Sequence, residues 1–398
     1  MEIVSGHSLK NILKNHWPDF YLKHGHNIRN DIIINVTKML SCRTESLGCH
    51  TYVCPNCGKI LNVPHTCKSR FCSSCGKKAT DQWIRKNMAA LPDTTWQHIT
   101  FTMPSKLWCL FWLNRHLFNK ISAIAANIIK NTAKKKNVLV GIYTAIHTFG
   151  RDLKRNVHIH LSVTRGGLHS VNQSTWIKDV FFNQKVIMPQ WRYLIITLFR
   201  DEYKSGNLRL PKSMAFIKNY TSFNSWLNVL FNKTWVVHFC KKTNNQKRNV
   251  DYLGKYLKRP PIGETRIKSY DRKFVSFEYL DHYTNSKTIK TLTAEDFIMR
   301  LITHIHDCGF RCIRYYGFLA NRVRGKLLSV VHKLLNNPLF NELIKLTKVY
   351  WRQLIFHTFG SDPLECTNCT QQMELRSITF APKISLFSLH QEIIHKNF

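Results

Sequence analysis

The sequence predicts an α+β protein in three parts: a cysteine-rich module in residues 1–92, a central antiparallel sheet with flanking helices in 93–322, and a mainly helical C-terminal region in 323–398. Three observations predict this order. Seven of the 13 cysteines lie between Cys42 and Cys75, segments rich in β-formers follow, and helical periodicity returns near the C-terminus. Apolar residues make up 44% of the chain, which is enough for domains with ordinary cores.

The individual elements are predicted from periodicity and from residues that end helices. Residues 1–41 have helical spacing, and a basic helix over Lys77–Leu91 ends at Pro92 because proline cannot continue a helix. Alternating or short continuous apolar runs predict strands, and a repeat of about 3.6 residues predicts helices. The expected strands are Gln97–Thr102, Val138–Phe149, Val157–Thr164 and Trp235–Phe239, and the expected helical stretches are Lys106–Lys130, 174–232 and the segment that follows residue 322.

Positive charge is the unusual property of the composition. Fifty-nine Lys and Arg face 23 Asp and Glu, which gives a formal net charge of +36. Nucleic acid is the obvious neutralising partner, because phosphate contacts release counterions and the 12% aromatic content offers stacking surfaces for unpaired bases. An anionic membrane is the competing polyanion, but no apolar run reaches the ~18 residues of a spanning helix, and no signal-peptide core is seen. We therefore expect a cytoplasmic protein that binds nucleic acid and no membrane.

The clustered cysteines indicate zinc. Two Cys-x-x-Cys pairs, Cys54–Cys57 and Cys72–Cys75, are separated by 14 residues, which is close to zinc-ribbon spacing. Two such turns complete a tetrahedron of thiolates about 2.3 Å from one ion with no open position, so we expect a structural site. The further candidate ligands in this stretch, enough for a second ion, are Cys42, His50 and Cys67, with Cys49 and His65 as competitors. Both one zinc ion and two are compatible with this pattern.

Two alternatives accompany the zinc interpretation. The cysteines between residues 42 and 75 could instead be buried or redox-active thiols, although clustering favours metal in a large cytosolic chain. Near the C-terminus, Cys366 and Cys369 form a single further pair. A second zinc site there would need other ligands, so none is expected at that pair.

A second constellation is Val157-His158-Ile159-His160-Leu161. On a strand, residues two apart share a face, so the spacing places both imidazoles together and the apolar residues toward the core. Such a pair can chelate one divalent ion, although a polar strand face that merely carries histidine is the alternative. If Phe149 pairs with Asn156 in a hairpin, His147 lies opposite His158 and becomes a candidate third ligand. A slip of one residue would reverse its side.

A third constellation surrounds two tyrosines. Tyr252 and Tyr256 share one face of an expected helix at i and i+4. A tyrosine hydroxyl can form a covalent intermediate, and nearby cations stabilise its oxyanion. Lys255, Lys258 and Arg259 supply positive charge that suits DNA phosphates. On spacing alone, the alternative is that the two aromatic rings only pack and take no part in chemistry.

The cysteine cluster, the His-x-His strand and the Tyr-x-x-x-Tyr helix stand in one order, and further matching residues accompany them. These are Cys42-Arg43-Thr44, Leu47-Gly48, Cys67-Lys68-Ser69-Arg70-Phe71-Cys72, His98-Ile99-Thr100-Phe101-Thr102-Met103-Pro104, His147-Thr148-Phe149-Gly150-Arg151-Asp152-Leu153, Gly166-Gly167, Arg259-Pro260-Pro261 and Arg314-Tyr315-Tyr316-Gly317. In these residues the sequence resembles the two-tyrosine HUH transposases of bacterial insertion sequences. The resemblance runs from about residue 42 to residue 322, and it assigns no role to the block around Tyr315.

The resemblance implies an HUH endonuclease domain behind an N-terminal zinc-binding DNA-binding domain. It implies that His158 and His160 bind catalytic Mg²⁺ or Mn²⁺, which acts as Lewis acid on a phosphate of single-stranded DNA. It further implies that Tyr252 or Tyr256 attacks to form a 5′-phosphotyrosine link in a rolling-circle-like transposition. The expected partners are then the single-stranded ends of the element and its target DNA, at the bacterial nucleoid.

Two rival functions remain from the sequence. A related HUH replication initiator or relaxase would share the metal and tyrosine chemistry, but no G-x-x-x-x-G-K-[ST] pattern of an attached helicase occurs. A non-catalytic zinc-ribbon regulator would explain the charge and the cysteines. That second rival leaves the ordered histidines and tyrosines as coincidence.

Overall fold

The structure is a computed structural model that describes residues 8–240, 242–243, 260–281, 284–337, 351–380 and 385–395. Helices and antiparallel strands alternate through these ranges, which confirms the α+β class. The helices are α1 Leu9–His24, α2 Asn30–Leu40, α3 Ser73–Ala90, α4 Trp108–Leu113, α5 Leu117–Lys134, α6 Gln184–Lys204, α7 Tyr220–Phe231, α8 Ala294–Thr303, α9 Arg324–Leu334, α10 Trp351–Phe359 and α11 Leu386–His395. No helix in the described ranges is both long and apolar enough to cross a membrane.

The strands form three antiparallel sheets in the described part of the chain. They are β1 Gly48–Val53, β2 Ile60–Pro64, β3 Trp96–Phe101, β4 Val138–Phe149, β5 Arg155–His169, β6 Trp176–Ile177, β7 Val237–Phe239, β8 Ile267–Tyr270, β9 Phe274–Leu280, β10 Lys287–Thr293, β11 Ile313–Gly317 and β12 Glu374–Phe380. The central sheet has the order β11-β4-β5-β3-β7, with β6 paired to β5. The two smaller sheets have the orders β12-β1-β2 and β10-β9-β8.

The long hairpin of β4 and β5 is the middle of the central sheet. One face is covered by helices, among which α5 presents Ile121, Ala125, Ile128 and Ile129 at i, i+4, i+7 and i+8. All four side chains are buried in the largest core cluster, together with apolar residues of the strands. The opposite face carries Ser162 and the histidines beside Tyr143 and Ala145, which are buried in a separate core cluster.

The single helix expected over Lys106–Lys130 is instead two helices, α4 and α5. Asn114 lies between them with φ −123° and ψ 64°, outside the helical region. Its side-chain amide donates to the carbonyl oxygen of Leu110 and to that of Arg209, both at 2.8 Å, and its oxygen accepts from the Arg209 N–H at 2.7 Å. Buried bonds to a distant segment therefore outweigh local helical propensity at this position.

The sheet of β8, β9 and β10 lies outside the strands that the sequence predicts. It packs with α1 and α8 around a second core cluster that includes Trp17, Phe277 and Phe297. β10 alternates exposed and half-buried residues, and its register with β9 runs from Lys287 opposite Leu280 to Thr293 opposite Phe274. Such short half-buried strands give a weak periodic signal.

The C-terminal region returns to the N-terminal module. β12 pairs antiparallel with β1, and α11 packs on α1 and α2, where Trp17 Nε1 donates to His390 Nε2 at 3.1 Å. The division into 1–92, 93–322 and 323–398 stays a prediction, and these contacts cross two of its boundaries.

β11 connects the N-terminal module to the central sheet. The Tyr315 hydroxyl accepts from Trp83 Nε1 and donates to Asn87 Oδ1 on α3, both at 3.2 Å. β11 ends at Gly317, whose φ is +65° and where a Cβ would lie 1.7 Å from the Val140 carbonyl oxygen, so only glycine fits. The Arg314–Gly317 block therefore has a structural role.

The buried carboxylate of Glu202 on α6 gives a test of this packing. Glu202 is 4% exposed, accepts from His116 Nε2 at 2.7 Å and pairs with Lys120. Burial alone would raise the pKa of Glu202, but the bonds from Lys120 and His116 outweigh it and hold that pKa below its ordinary 4.5. We expect Glu202→Gln to lower the free energy of unfolding by about 1–3 kcal/mol at pH 7.

Chemical denaturation at several pH values would measure this effect. Because the folded-state pKa is depressed, the stabilisation is present at neutral pH and is lost as the pH falls below 4.5 and through the folded-state pKa. The matched control is Glu295→Gln, which removes an exposed carboxylate paired with Lys23 and should change the stability much less, because water screens exposed ion pairs. Equal losses in the two variants would contradict the assignment.

Candidate functional site

Three histidine rings meet on the polar face of the β4–β5 hairpin. His147 of β4 lies directly opposite His158 of β5, and His160 follows on the same face of β5. The ring centroids of His147 and His158 are 5.2 Å apart, and those of His147 and His160 are 4.5 Å apart. One nitrogen from each ring lies within 4.8 Å of the others. The structure therefore brings together the three histidines that the sequence singled out.

The register that aligns these rings differs in one detail from the expected hairpin. Phe149 pairs with Arg155, not with Asn156, because the register shifts between His147 and Phe149. Such a bulge places an extra residue in one strand and turns the chain locally. It leaves His147 opposite His158, so the third histidine keeps the side on which the two others lie.

The hydrogen bonds of His158 define its tautomer. Its Nδ1 lies 3.0 Å from the carbonyl oxygen of Asn156, which can only accept, so Nδ1 carries the proton. In the neutral ring Nε2 then holds a lone pair, and it faces His160 Nε2 at 3.1 Å. Two nitrogens at ~2.1 Å from one octahedral ion, in neighbouring positions, would be about 3.0 Å apart. This pair of nitrogens could hold a divalent cation without rearrangement.

His98 of β3 supports His160 from behind. His98 Nε2 lies 3.1 Å from His160 Nδ1, and His98 Nδ1 lies 3.1 Å from Ser162 Oγ. If His160 Nδ1–H donates to His98 and His98 Nδ1–H donates to Ser162, the lone pair of His160 Nε2 points toward His158. Ligating histidines are commonly held in this way by a partner on the other ring nitrogen.

Burial keeps these rings neutral. It lowers the pKa of His98 and of His158 to about 4, and it lowers the pKa of His160 well below its ordinary value, with smaller contributions from the neighbouring rings. Desolvation has this sign because it disfavours the charged imidazolium. At neutral pH the site therefore offers lone pairs and no positive charge of its own.

A first group of four cysteines lies between α2 and α3. Sγ of Cys42 lies 3.7 Å from that of Cys75 and 3.6 Å from that of Cys72, and Cys67 and Cys75 are 3.7 Å apart. Hydrogen bonds from the neighbouring thiols, chiefly Cys67, lower the pKa of Cys42 to about 7. Four thiolates at these separations suit a tetrahedral zinc ion, for which the expected Sγ–Sγ distance is about 3.8 Å.

A second group joins the two ends of the chain. Cys54 and Cys57, which follow β1, converge with Cys366 and Cys369, which precede β12. The expectation that the Cys54–Cys57 pair would face the Cys72–Cys75 pair around one ion is therefore wrong, because each pair belongs to a different group. The prediction that Cys366 and Cys369 have no partner ligands is also wrong, because Cys54 and Cys57 lie beside them.

His50, predicted as a zinc ligand, lies in neither group. Its Nδ1 is 2.8 Å from His65 Nε2, and His65 Nδ1 is 2.8 Å from the carbonyl oxygen of Leu47. Because that carbonyl only accepts, His65 Nδ1 is protonated and His65 Nε2 accepts from His50. The two histidines thus bind each other on the surface of β1 and β2, and Cys49 also lies outside the two cysteine groups.

Comparison with known proteins identifies the family. Residues 141–326 match the family described as "Putative transposase", and residues 12–103 match the one described as "Transposase zinc-binding domain". The "Transposase for insertion sequence element IS801" of Pseudomonas savastanoi pv. phaseolicola is 38% identical over 87% of this chain and 83% of its own length. The chain belongs to the transposases of bacterial insertion sequences.

A more distant relative agrees with this family. The "Putative transposase y4qJ" of Sinorhizobium fredii is 27% identical over 75% of this chain and 77% of its own length. No solved structure matches the chain. The zinc-binding domain of the transposase, over residues 12–103, contains all of the first cysteine group but only Cys54 and Cys57 of the second.

Several predicted residues of the transposase lie outside the described ranges. These are Tyr252 and Tyr256, with the basic residues Lys255, Lys258 and Arg259. Their roles stay predictions. The strand β7, which precedes these residues, pairs with β3 at the edge of the central sheet. Pro260, the first described residue after them, lies close to Gly76 on α3.

Sequence reasoning missed two features of the transposase site. His98 was noted only as part of a strand, because no local spacing reveals that β3 lies beside β5. Cys366 and Cys369 were noted as a pair without partners. Both features depend on which distant segments of the chain become neighbours in the fold, and sequence spacing gives no signal for that.

The first cysteine group can be tested by removing one ligand. We expect Cys75→Ser to lower the zinc content by one ion per chain and to destabilise the N-terminal module, since zinc binding and folding are coupled at such sites. Elemental analysis and thermal unfolding would measure both effects. Cys109→Ser, which changes a cysteine outside both groups, is the matched control, and an unchanged zinc content in Cys75→Ser would refute the ligand assignment.

Proposed function

We propose that this transposase cuts and joins single-stranded DNA through a 5′-phosphotyrosine intermediate, with Tyr252 and Tyr256 as nucleophiles. The observation that carries the proposal is the convergence of His147, His158 and His160 on one face of the central hairpin. His147 and His160 are buried and His158 is half-buried, and desolvation keeps the rings of His158 and His160 neutral. The family supports DNA as the substrate, and the net charge of +36 supports affinity for its phosphates.

His158 and His160, with His147 as third ligand, would hold Mg²⁺ or Mn²⁺. The fit rests on the 3.1 Å between the two Nε2 atoms and on the protonated Nδ1 of His158. When bound, the ion would act as a Lewis acid on the scissile phosphate. Imidazoles are less typical than oxygen ligands for such hard ions, so phosphate and water oxygens would complete the coordination.

The residues of the chain would divide the remaining work. The phenol of one tyrosine loses its proton, its oxygen forms a bond to phosphorus, and the bond from phosphorus to the 3′-oxygen breaks to release a 3′-hydroxyl. Lys255, Lys258 and Arg259 would hold neighbouring phosphates. The second tyrosine would accept a further strand while the first remains linked, and attack by a 3′-hydroxyl on the link restores the free tyrosine.

The zinc-binding domain would recognise the DNA next to the cleaved strand. We retain 1–92 as its extent, 93–322 as the catalytic domain and 323–398 as a mainly helical C-terminal region. The same chemistry would serve a replication initiator or relaxase, but the insertion-sequence relatives favour transposition. DNA as substrate places this work at the nucleoid, in the bacterial cytoplasm.

Binding of Mn²⁺ tests the histidine group without requiring turnover. We expect His158→Ala and His160→Ala to abolish binding, and His98→Leu to weaken it by ~10–100-fold, because His98 orients the ring of His160. Titration followed by electron paramagnetic resonance of free Mn²⁺ gives the affinities. His26→Ala, an exposed histidine remote in sequence, is the control. Equal affinity in His158→Ala and the unchanged protein would rule out this metal site.

Covalent attachment tests the nucleophiles. Purified protein is incubated with labelled single-stranded DNA from the ends of its element, with Mn²⁺ or with EDTA, and separated under denaturing conditions. We expect an adduct that needs Mn²⁺, is absent from His158→Ala/His160→Ala, and is lost when Tyr252 and Tyr256 are both changed to Phe. Each single Tyr→Phe variant then reports which tyrosine attacks first.

The control for this experiment is Tyr193→Phe, which alters an exposed tyrosine on α6. It should leave the adduct unchanged. An adduct that persists in the double Tyr→Phe variant would refute the nucleophile assignment. Tight DNA binding with no adduct on any strand would favour the non-catalytic zinc-ribbon regulator.

A further inference from the structure

The second cysteine group has the geometry of a metal site. Sγ of Cys54 lies 3.4 Å from Sγ of Cys369, and Cys57 Sγ lies 3.5 Å from that of Cys366 and 3.7 Å from that of Cys369. These separations are close to the ~3.8 Å edge of a tetrahedron with zinc–sulfur bonds of ~2.3 Å. They also resemble the 3.6–3.7 Å separations of the first group.

The backbone turns of the two pairs are alike, which is an independent observation. Gly58 N–H donates to the Cys54 carbonyl at 3.0 Å, and Thr370 N–H donates to the Cys366 carbonyl at 2.8 Å. In each turn the first cysteine N–H also donates to the carbonyl five residues on, Cys54 to Lys59 and Cys366 to Gln371, both at 2.9 Å. The same turn is therefore formed twice, from two distant segments that share the cysteines and the asparagine between them, Asn56 and Asn368.

The residue after each second cysteine is left-handed. Gly58 has φ +70° and Thr370 has φ +60°. Glycine adopts this conformation without cost, but a β-branched residue in it is a true outlier. The turn around Cys366 and Cys369 therefore holds Thr370 in a strained backbone conformation. Such strain persists only where surrounding interactions stabilise it.

The strands bring the two turns to the same end of one sheet. β1 pairs antiparallel with β12, so the end of β1 lies beside the start of β12, with Val53 opposite Glu374. The core beneath is small and consists of Tyr52, Cys54, Cys366 and Met373, with a few half-buried neighbours. So little apolar area does not hold a three-stranded sheet by itself, and small units of this kind depend on a crosslink.

We propose that Cys54, Cys57, Cys366 and Cys369 bind a second structural zinc ion, which crosslinks the C-terminal segment to the N-terminal sheet. The two matched regions, 12–103 and 141–326, leave Cys366 and Cys369 outside, so the site is shared between the zinc-binding domain and a segment beyond both. All four positions are cysteines, so all four ligands of a bound ion would be thiolates. The ion would be enclosed and structural, with no open position for a substrate.

Two alternatives to zinc are a disulfide, which the geometry does not suit, and iron, which the geometry would accept. A disulfide requires about 2.05 Å between two sulfur atoms, whereas the measured separations are 3.4 Å or more. A single iron ion would accept the same tetrahedral thiolates. Elemental analysis separates iron from zinc.

Alkylation gives a test that uses the unaltered chain. Cys57 is exposed and Cys369 is half-buried, so without a metal both thiols react readily with N-ethylmaleimide. We expect Cys57, Cys366 and Cys369 to be protected in the purified protein and to become labelled after a strong chelator is added, as read by peptide mass spectrometry. The exposed Cys308 is the internal control and should react in both conditions.

Zinc stoichiometry gives the second readout. We expect two zinc ions per chain in the unaltered protein, one in Cys366→Ser/Cys369→Ser, one in Cys54→Ser/Cys57→Ser, and two in the matched control Cys109→Ser/Cys308→Ser. The two test variants remove opposite halves of one site, so the same loss from both supports it. One zinc ion in the unaltered protein, iron in place of zinc, or rapid labelling of Cys57 before chelation would overturn the proposal. If a variant fails to fold, alkylation of the unaltered chain decides alone.

Discussion

The antiparallel pairing of β4 and β5 is the constraint on which the candidate active site depends. Phe149 pairs with Arg155 beside the turn, and the bulge before Phe149 absorbs the extra residue of β5, so His147 still faces His158. Within that turn Leu153 adopts φ +64°, and Gly150 and Lys154 close it through a bond of 2.8 Å. Since side chains alternate with a period of two, one further residue in either strand would send one ring to the apolar face, among the helices.

The structure also relates the zinc-binding domain to the histidine group. α3 of that domain contacts β11 through Trp83, Asn87 and Tyr315, and β11 pairs with β4, the strand that carries His147. The zinc-binding domain and the histidine group are thus connected through two hydrogen bonds and one strand pairing. In the proposed function, the zinc-binding domain recognises DNA next to the strand that is cut at the histidine group. Such a short connection would then hold the two contacts with DNA at a constant distance and orientation.

A feature of this fold can be predicted from the sequence when the residues that form it lie close together in the chain. His158 and His160 follow from the two-residue period of a strand, and His147 follows from a short hairpin loop. His98 needs the order of strands in the sheet, which no local pattern contains. The two Cys-x-x-Cys pairs differ in backbone conformation. Cys72 is the N-cap of α3, whereas Cys54 begins a turn that is closed by a hydrogen bond from its N–H to the carbonyl oxygen of Lys59. Identical Cys-x-x-Cys spacing hides that difference, and the true partners of Cys54 lie near the other end of the chain.

The joining of the chain's two ends in the β12-β1-β2 sheet has a consequence for synthesis. Cys54 and Cys369 are 315 residues apart, so a ribosome that adds about 5–20 residues per second needs roughly 15–60 s to make the second after the first. During that interval β1 is an open sheet edge with two unshielded thiols. The β4–β5 hairpin of the central sheet has no such delay, because its two strands are contiguous in the chain. The β12-β1-β2 sheet is therefore completed late, although its first strand is made early.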